Sequence, residues 1–135
     1  MAVLRHSLLL TVLPGDYAVC RLAPDAPAQA WMTAGTHSFL ARTPAELSVM
    51  VESAQAPPDV RSETGFRLIR FEGALDFSLA GVLASVTEPL AEAGISICAV
   101  STFDRDYVLV RQAKLDIALA ALVAAGHTIR RADRA

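Results

Sequence analysis

Two polar segments of this sequence carry side chains that could hold a small charged molecule. One is STFDRD at positions 101–106, and the other is GALDFSLAGV at positions 73–82. The carboxylates of Asp104 and Asp106 can accept hydrogen bonds from an ammonium group, whereas the hydroxyl of Thr102 can donate or accept. This set of groups favours the binding of a zwitterion such as an amino acid.

The second polar segment lies where a predicted strand leads into a predicted helix. Residues 66–73 alternate between apolar and polar types, and from Leu79 onward the apolar residues recur at helical spacing. Ser78 is well placed as the N-cap of this helix, and Gly81 permits close approach of a ligand. The free N–H groups and the dipole at a helix N-terminus favour a carboxylate. The same pattern also fits an ordinary cap, just as the two aspartates are typical turn residues.

The elements that would position these segments follow a regular order. Two apolar runs, ISICAV and YVLV, flank the STFDRD turn, and the helix before them is predicted to end at Gly94. A second helix over 113–125 and a short strand, HTIR, follow. The order strand, helix, strand, strand, helix, strand predicts a ferredoxin-like α+β domain over residues 61–135, with an antiparallel sheet and both helices on one face.

The first half of the chain, residues 1–60, is predicted to be rich in β-structure. Its apolar runs suggest two hairpins, formed by residues 8–13 with 17–22 and by residues 37–42 with 46–52. The segment QAPPDVRSETG, residues 55–65, contains two prolines and several polar residues, and is predicted to be a linker or long turn between the two halves.

Composition argues against several classes of partner. Of the 135 residues 53% are hydrophobic, the mean hydropathy is +0.40, and the formal charge is −2. The basic residues are scattered, and the strands that would form an RNA-binding sheet have almost no exposed aromatic residues, so nucleic acid is not expected. No run approaches the ~20 apolar residues that span a bilayer. A cytoplasmic protein is therefore expected. The high hydrophobic content also predicts a partner subunit, because large apolar surfaces rarely stay exposed on monomers.

Neither a catalytic centre nor a metal site is predicted. His6, His37 and His127 lie outside any motif that would link them to a serine or a cysteine, and are predicted to be surface or capping residues. Asp104 and Asp106 resemble the start of a calcium loop, but the remaining oxygen ligands and the glycine of such a loop are missing. We therefore expect a protein that is not an enzyme and has no cofactor.

The second half of the chain resembles a known family. The stretch LDFSLAGVLASVTEPLAEAGISICAVSTFDRDYVLVRQAKLDIALAAL is similar to the ACT domain, in the branch that small bacterial ACT proteins share with the animal cytosolic arginine sensor. The resemblance covers most of residues 37–125, and STFDRDYVLV is its most specific part. It implies that residues 1–60 are a degenerate ACT-like half and that residues 61–135 are an ACT domain.

The resemblance also implies a function and a set of ligand contacts. ACT domains are regulatory or sensing modules that bind a small ligand, usually an amino acid, between neighbouring units. Carried onto this sequence, the contacts fall on the loop before the first helix and on the end of the following strand: Ser78, Leu79, Gly81, Thr102, Phe103 and Asp106, with Asp76 and Asp104 as secondary candidates.

Two alternatives stay open at this point. The site would form either between the two halves of one chain or across a homodimer, and the regulated protein would be a separate partner. The alternative function is a constitutive protein–protein interaction module that binds no ligand.

Overall fold

The computed structural model of the chain describes residues 6–72 and 81–132. Within these ranges the chain forms eight β-strands and two α-helices. In chain order they are β1 (Leu9–Val12), β2 (Tyr17–Leu22), β3 (Phe39–Arg42), β4 (Leu47–Glu52), β5 (Arg61–Phe71), α1 (Ala84–Glu92), β6 (Ile97–Ser101), β7 (Asp106–Arg111), α2 (Leu115–Ala124) and β8 (Thr128–Arg131). The chain divides into two compact units, which we call the C-terminal unit (residues 1–14 with 67–135) and the inserted unit (residues 15–66).

The C-terminal unit consists of one sheet and two helices. Its strands lie in the order β6-β7-β5-β1-β8, and β5 contributes its residues from Arg67 onward. The order along the chain, β5-α1-β6-β7-α2-β8, is the predicted ferredoxin-like order, so the α+β fold class is confirmed. The core contains buried side chains from the strands and from both helices: Leu10, Val12, Ile69, Phe71, Val86, Leu90, Ile95, Val108, Val110, Leu115, Ala118, Leu119 and Leu122.

The predicted hairpin of residues 8–13 with 17–22 is wrong. Strand β1 instead pairs antiparallel with β5, with Leu10 opposite Phe71, and parallel with β8, with Leu10 opposite Ile129. The physical reason is burial: Leu10 and Val12 are in the core, and Thr11, which points to the other face of the sheet, is buried as well. A strand covered on both faces needs a central position, which a hairpin at the edge of a sheet would not provide.

The inserted unit is an antiparallel sheet in the order β3-β4-β2-β5. Short 3₁₀ segments, Ala30–Thr33 and Ser53–Gln55, stand between β2 and β3 and between β4 and β5, where the ferredoxin-like order would have helices. This unit is rich in β-structure, as predicted for the first half of the chain, whereas the predicted boundary between halves at residues 60 and 61 stays a prediction. The predicted pairing of residues 37–42 with 46–52 is confirmed by β3 and β4.

The predicted linker over residues 55–65 is wrong in its second part. Residues from Arg61 to Gly65 belong to β5, and its first three residues pair with β2, with Arg61 opposite Arg21 and Ser62 opposite Cys20. Residues 61–64 are exposed. A strand whose backbone is paired can keep polar side chains in solvent, which is why composition alone indicates a loop here.

Helix α1 begins later than the spacing from Leu79 predicts. Residues 81–83 form a turn, Leu83 is the N-cap, and the helix starts at Ala84. The predicted end at Gly94 is confirmed, because this glycine has φ +75 and its N–H donates to the carbonyl of Ala91. Neither α1 nor α2, nor any other helix in the described ranges, is long and apolar enough to cross a membrane.

Candidate ligand-binding site

The STFDRD hairpin lies against the strand end that leads into the second polar segment. In the C-terminal unit β5 ends at Phe71, and the hairpin between β6 and β7 reaches the same edge of the sheet. Nη1 of Arg105 donates to Oε1 of Glu72 at 3.0 Å and to the carbonyl oxygen of Phe71 at 3.5 Å. The candidate site comprises the end of β5, the STFDRD hairpin and the start of α1, and we call this region the edge.

The tip of the hairpin is a tight turn that uses its own polar groups. The N–H of Thr102 donates to the carbonyl of Arg105 at 2.8 Å, and Oγ1 of Thr102 accepts from the N–H of Arg105 at 3.2 Å. Phe103 and Asp104 lie at the tip, where Phe103 is 83% exposed and Asp104 is also exposed. A ligand that bound the Thr102 hydroxyl would therefore compete with the turn.

Asp106 differs sharply from Asp104, because its side chain is only 4% exposed. It alternates along β7 with the core residues Val108 and Val110, so it lies on the face of the sheet that the helices cover. Ser101, directly opposite across the hairpin, donates from Oγ to Oδ1 of Asp106 at 2.5 Å. Ser101 is the only hydrogen-bond donor to this carboxylate among the residues that the structure describes.

Ser101 is a functional candidate that reasoning from the sequence missed. A serine directly before the turn and an aspartate directly after it occupy a cross-strand pair, so their spacing in the hairpin is the signal that could have found this contact.

The start of α1 supplies a second set of backbone contacts. Gly81 has φ +80, a left-handed conformation that glycine adopts without strain, and its carbonyl accepts from both the N–H and Oγ of Ser85, at 2.9 and 2.7 Å. Ser85 is buried, and its Oγ also accepts from the N–H of His6 at 2.8 Å.

Three of the predicted ligand contacts cannot be placed relative to this edge. Asp76, Ser78 and Leu79 fall outside the described residues. The structure thus describes Gly81 in the turn before α1, and Thr102, Phe103, Asp104 and Asp106 in and beside the hairpin.

His127 is buried, which corrects the prediction of a surface or capping residue. Its Nδ1 accepts from the N–H of Leu8 at 3.1 Å, and its Nε2 lies 2.7 Å from the carbonyl oxygen of Ser85. Because Nδ1 must be an acceptor, Nε2 carries the proton and donates to that carbonyl. The imidazole therefore ties the chain before β1 to the first turn of α1, and it contacts the carbonyl of Ser85 rather than its hydroxyl.

A group of charged residues, which we call the Glu72 cluster, surrounds the end of β5. Oε2 of Glu72 accepts from Nε and Nη2 of Arg70, from Nη2 of Arg130 and from Oγ1 of Thr11, while Oε1 accepts from Nη1 of Arg105. Burial by itself raises the pKa of Glu72, but the hydrogen bonds and the Arg70 charge outweigh it and lower that pKa to about 2. Within the described ranges, no three His, Cys, Asp or Glu side chains come together as a metal site would require.

Comparison with known proteins identifies the family. Residues 61–124 match the family model of the ACT domain. Over these residues the chain is similar to the ACT domain. A protein from Agrobacterium tumefaciens of known structure is 34% identical, with 96% of each chain covered and a TM-score of 0.91, so the two proteins belong to one family. No curated protein matches the sequence at a significant level.

More distant structures share the fold of this chain. A Vibrio cholerae protein of unknown function, described as a possible transport protein, is 24% identical over 89% of this chain and 91% of its own, with a TM-score of 0.73. The ligand-free regulatory subunit of aspartate kinase from Thermus thermophilus is 17% identical over 92% of this chain and 99% of its own, with a TM-score of 0.56. The ACT resemblance is thus confirmed, whereas the branch related to the animal arginine sensor stays a prediction.

Proposed function

We propose that this ACT protein is a regulatory protein that binds a small amino acid at the edge between the STFDRD hairpin and the start of α1. The observation that carries the proposal is the environment of the Asp106 side chain. This side chain is buried and accepts one described hydrogen bond, from Ser101. A carboxylate has about four acceptor positions, and burial without compensating partners costs free energy. An ammonium group would supply both the donors and the opposite charge.

The other end of the ligand would be held by the loop before α1. Backbone N–H groups of this loop, around Ser78, Leu79 and Gly81, would bind its carboxylate. Thr102 and Phe103 would border the ligand from the hairpin, and Asp76 and Asp104 would be secondary contacts.

The regulatory part of the proposal rests on the ACT family match and on a fold shared with a subunit named as regulatory. In this proposal the protein is cytoplasmic, forms a homodimer, catalyses no reaction and uses no cofactor. A ligand can change the state of a partner protein only if it binds one arrangement of the protein more tightly than another. The alternative, a constitutive interaction module, is favoured by the exposed Phe103 at the hairpin tip.

A thermal-shift screen of the twenty amino acids separates these two functions. A ligand at about 100 times its dissociation constant should add about 2.7 kcal/mol to the free energy of unfolding. Asp106→Asn removes a buried acceptor for the ammonium group and should abolish most of this gain. Asp59→Asn changes the charge equally, at an exposed position of the inserted unit outside the site, and should preserve it. If no amino acid shifts the transition, or if Asp106→Asn responds like the wild type, the proposed function is wrong.

A further inference from the structure

The Glu72 cluster contains more positive charge than its own carboxylate can neutralise. Three guanidinium groups, of Arg70, Arg105 and Arg130, contact the single carboxylate of Glu72, each at 2.9–3.1 Å. Among the residues that the structure describes, the count is three positive charges against one negative charge, which is an excess of two. One arginine would suffice to form a salt bridge with Glu72. Holding three together lowers stability, because their side chains lose entropy and their like charges repel each other.

Most of the cluster lies on the other face of the sheet from Asp106, whereas Arg105 belongs to the STFDRD hairpin itself. Arg70 and Glu72 alternate along the chain with the core residues Ile69 and Phe71, and Thr11 and Arg130 are paired with each other across β1 and β8. These side chains therefore lie on the face opposite the helices, whereas Asp106 lies on the helix face. The exposed carboxylate of Asp104 forms no ion pair with these arginines among the described contacts.

Several donors of the cluster have no acceptor in the described part of the chain. Nη1 of Arg105 donates to Glu72 and to the carbonyl of Phe71, which leaves its Nε and Nη2 groups without acceptors. Nη1 of Arg70 and Nη1 of Arg130 are likewise unused. The three side chains are 26%, 36% and 55% exposed in the order Arg70, Arg105, Arg130, so solvent and small solutes can reach them.

The cluster is also held in place before any ligand arrives. Arg70 is on β5 and Arg130 on β8, and both bind the same oxygen of Glu72, while Arg130 also donates from Nε and Nη2 to Oγ1 of Thr11. Arginines positioned in this way lose less conformational entropy when they bind an anion, and their planar fork matches phosphate and carboxylate oxygens.

We propose that the Glu72 cluster binds a small phosphate-bearing molecule through the free N–H groups of Arg105, Arg70 and Arg130. A phosphate dianion matches the excess of two charges, whereas a single carboxylate matches only half of it. The phosphate would come either from inorganic phosphate or from a phosphate monoester, and both present the same oxygens. Apart from Arg105, which lies in the hairpin, this second site is on the face of the sheet opposite Asp106, and it does not depend on the proposed function.

The test adds inorganic phosphate or glycerol phosphate at constant ionic strength, with sodium chloride as the reference. It measures the unfolding midpoint of the protein and, by calorimetry, the affinity for each phosphate compound. Phosphate should stabilise the wild type beyond the chloride reference. Arg105→Gln should weaken phosphate binding by about tenfold, which is the loss of one charge-assisted contact. Arg131→Gln is the matched control, because Arg131 is 54% exposed and pairs with Asp116 at 3.6 Å. This control should bind phosphate within about twofold of the wild type.

Glu72→Gln distinguishes an anion site from a set of structural ion pairs. It raises the charge excess from two to three and frees donors, so phosphate should bind this variant about tenfold more tightly and restore part of its lost stability. Asp106→Asn should leave phosphate binding unchanged, whatever its effect on amino acids. A phosphate effect no larger than that of chloride, an equal loss in Arg131→Gln, or no gain in Glu72→Gln would each overturn the proposal.

Discussion

Replacing Glu72 with glutamine should lower the free energy of unfolding by about 2 kcal/mol at pH 7 in a buffer without phosphate. The substitution keeps the size of the side chain but leaves three guanidinium groups together without their common negative charge. Because the arginines are partly exposed, solvent screens part of this repulsion, and the expected loss is smaller than for a fully buried pair. Urea denaturation measures it, with Asp59→Asn, at an exposed position of the inserted unit, as a control that should change stability by less than about 0.5 kcal/mol.

The same variant should lose a defined part of the pH dependence of stability. Burial raises the pKa of Glu72, but hydrogen bonds from Arg70, Thr11 and Arg130 and the charge of Arg70 lower it to about 2, from an ordinary value of 4.5. A carboxyl with a lowered pKa in the folded state contributes stability above its unfolded pKa, and that contribution is lost as the pH falls towards the folded pKa. The wild type should therefore lose stability between about pH 4.5 and pH 2 more steeply than Glu72→Gln. Parallel curves for the two proteins would show that the cluster does not hold this carboxylate ionised.

Replacing His127 with alanine should cost about 3 kcal/mol, the largest stability effect expected from a single polar residue of this protein. The ring is buried, and its two nitrogens pair with the N–H of Leu8 and the carbonyl of Ser85. Alanine leaves a cavity and removes the partner of both backbone groups.

His37→Ala is the comparison for this experiment, because His37 is half-buried in the inserted unit and its ring contacts Thr36 at 3.3 Å. It should cost less than about 1 kcal/mol by urea denaturation. A His127→Ala protein as stable as His37→Ala would mean that water replaces both hydrogen bonds of the buried imidazole.

Local patterns in the sequence predicted most elements of the C-terminal unit because these elements are strongly periodic. The helical spacing from Val82 to Leu90 places Val86 and Leu90 in the core, and Gly94 ends the helix as its type predicts. The alternation of Leu47, Val49 and Val51 with polar or flexible residues likewise fixes β4 and its buried face. In each case the deciding interactions lie within a few residues along the chain.

The pairing of β1 could not be predicted in this way, because it depends on contacts between distant parts of the chain. Leu10 and Val12 form the same apolar pattern whether the strand pairs with its neighbour or with β5 and β8. His127 was missed for a similar reason, since its partners Leu8 and Ser85 are 119 and 42 residues away. No residue near His127 in the sequence indicates that its ring will form hydrogen bonds with the backbone of Leu8 and of Ser85.

The candidate site falls between these cases. The hairpin and its two aspartates are visible in the sequence, and the family resemblance favours Asp106 over Asp104. The structure adds that Asp106 is buried and Asp104 exposed, and that Ser101 donates to Asp106. The Glu72 cluster was not predicted, because Thr11, Arg70 and Arg130 meet only once β1, β5 and β8 pair.

The most direct test of binding at the hairpin is an NMR titration of the ¹⁵N-labelled protein with the amino acid that gives the largest thermal shift. We expect saturable changes in the amide signals of Ser101, Asp106 and Gly81, and we expect Asp106→Asn to remove them while Asp59→Asn retains them. Saturable changes confined to the inserted unit, residues 15–66, or unchanged signals at all three positions, would contradict an amino-acid site at this edge.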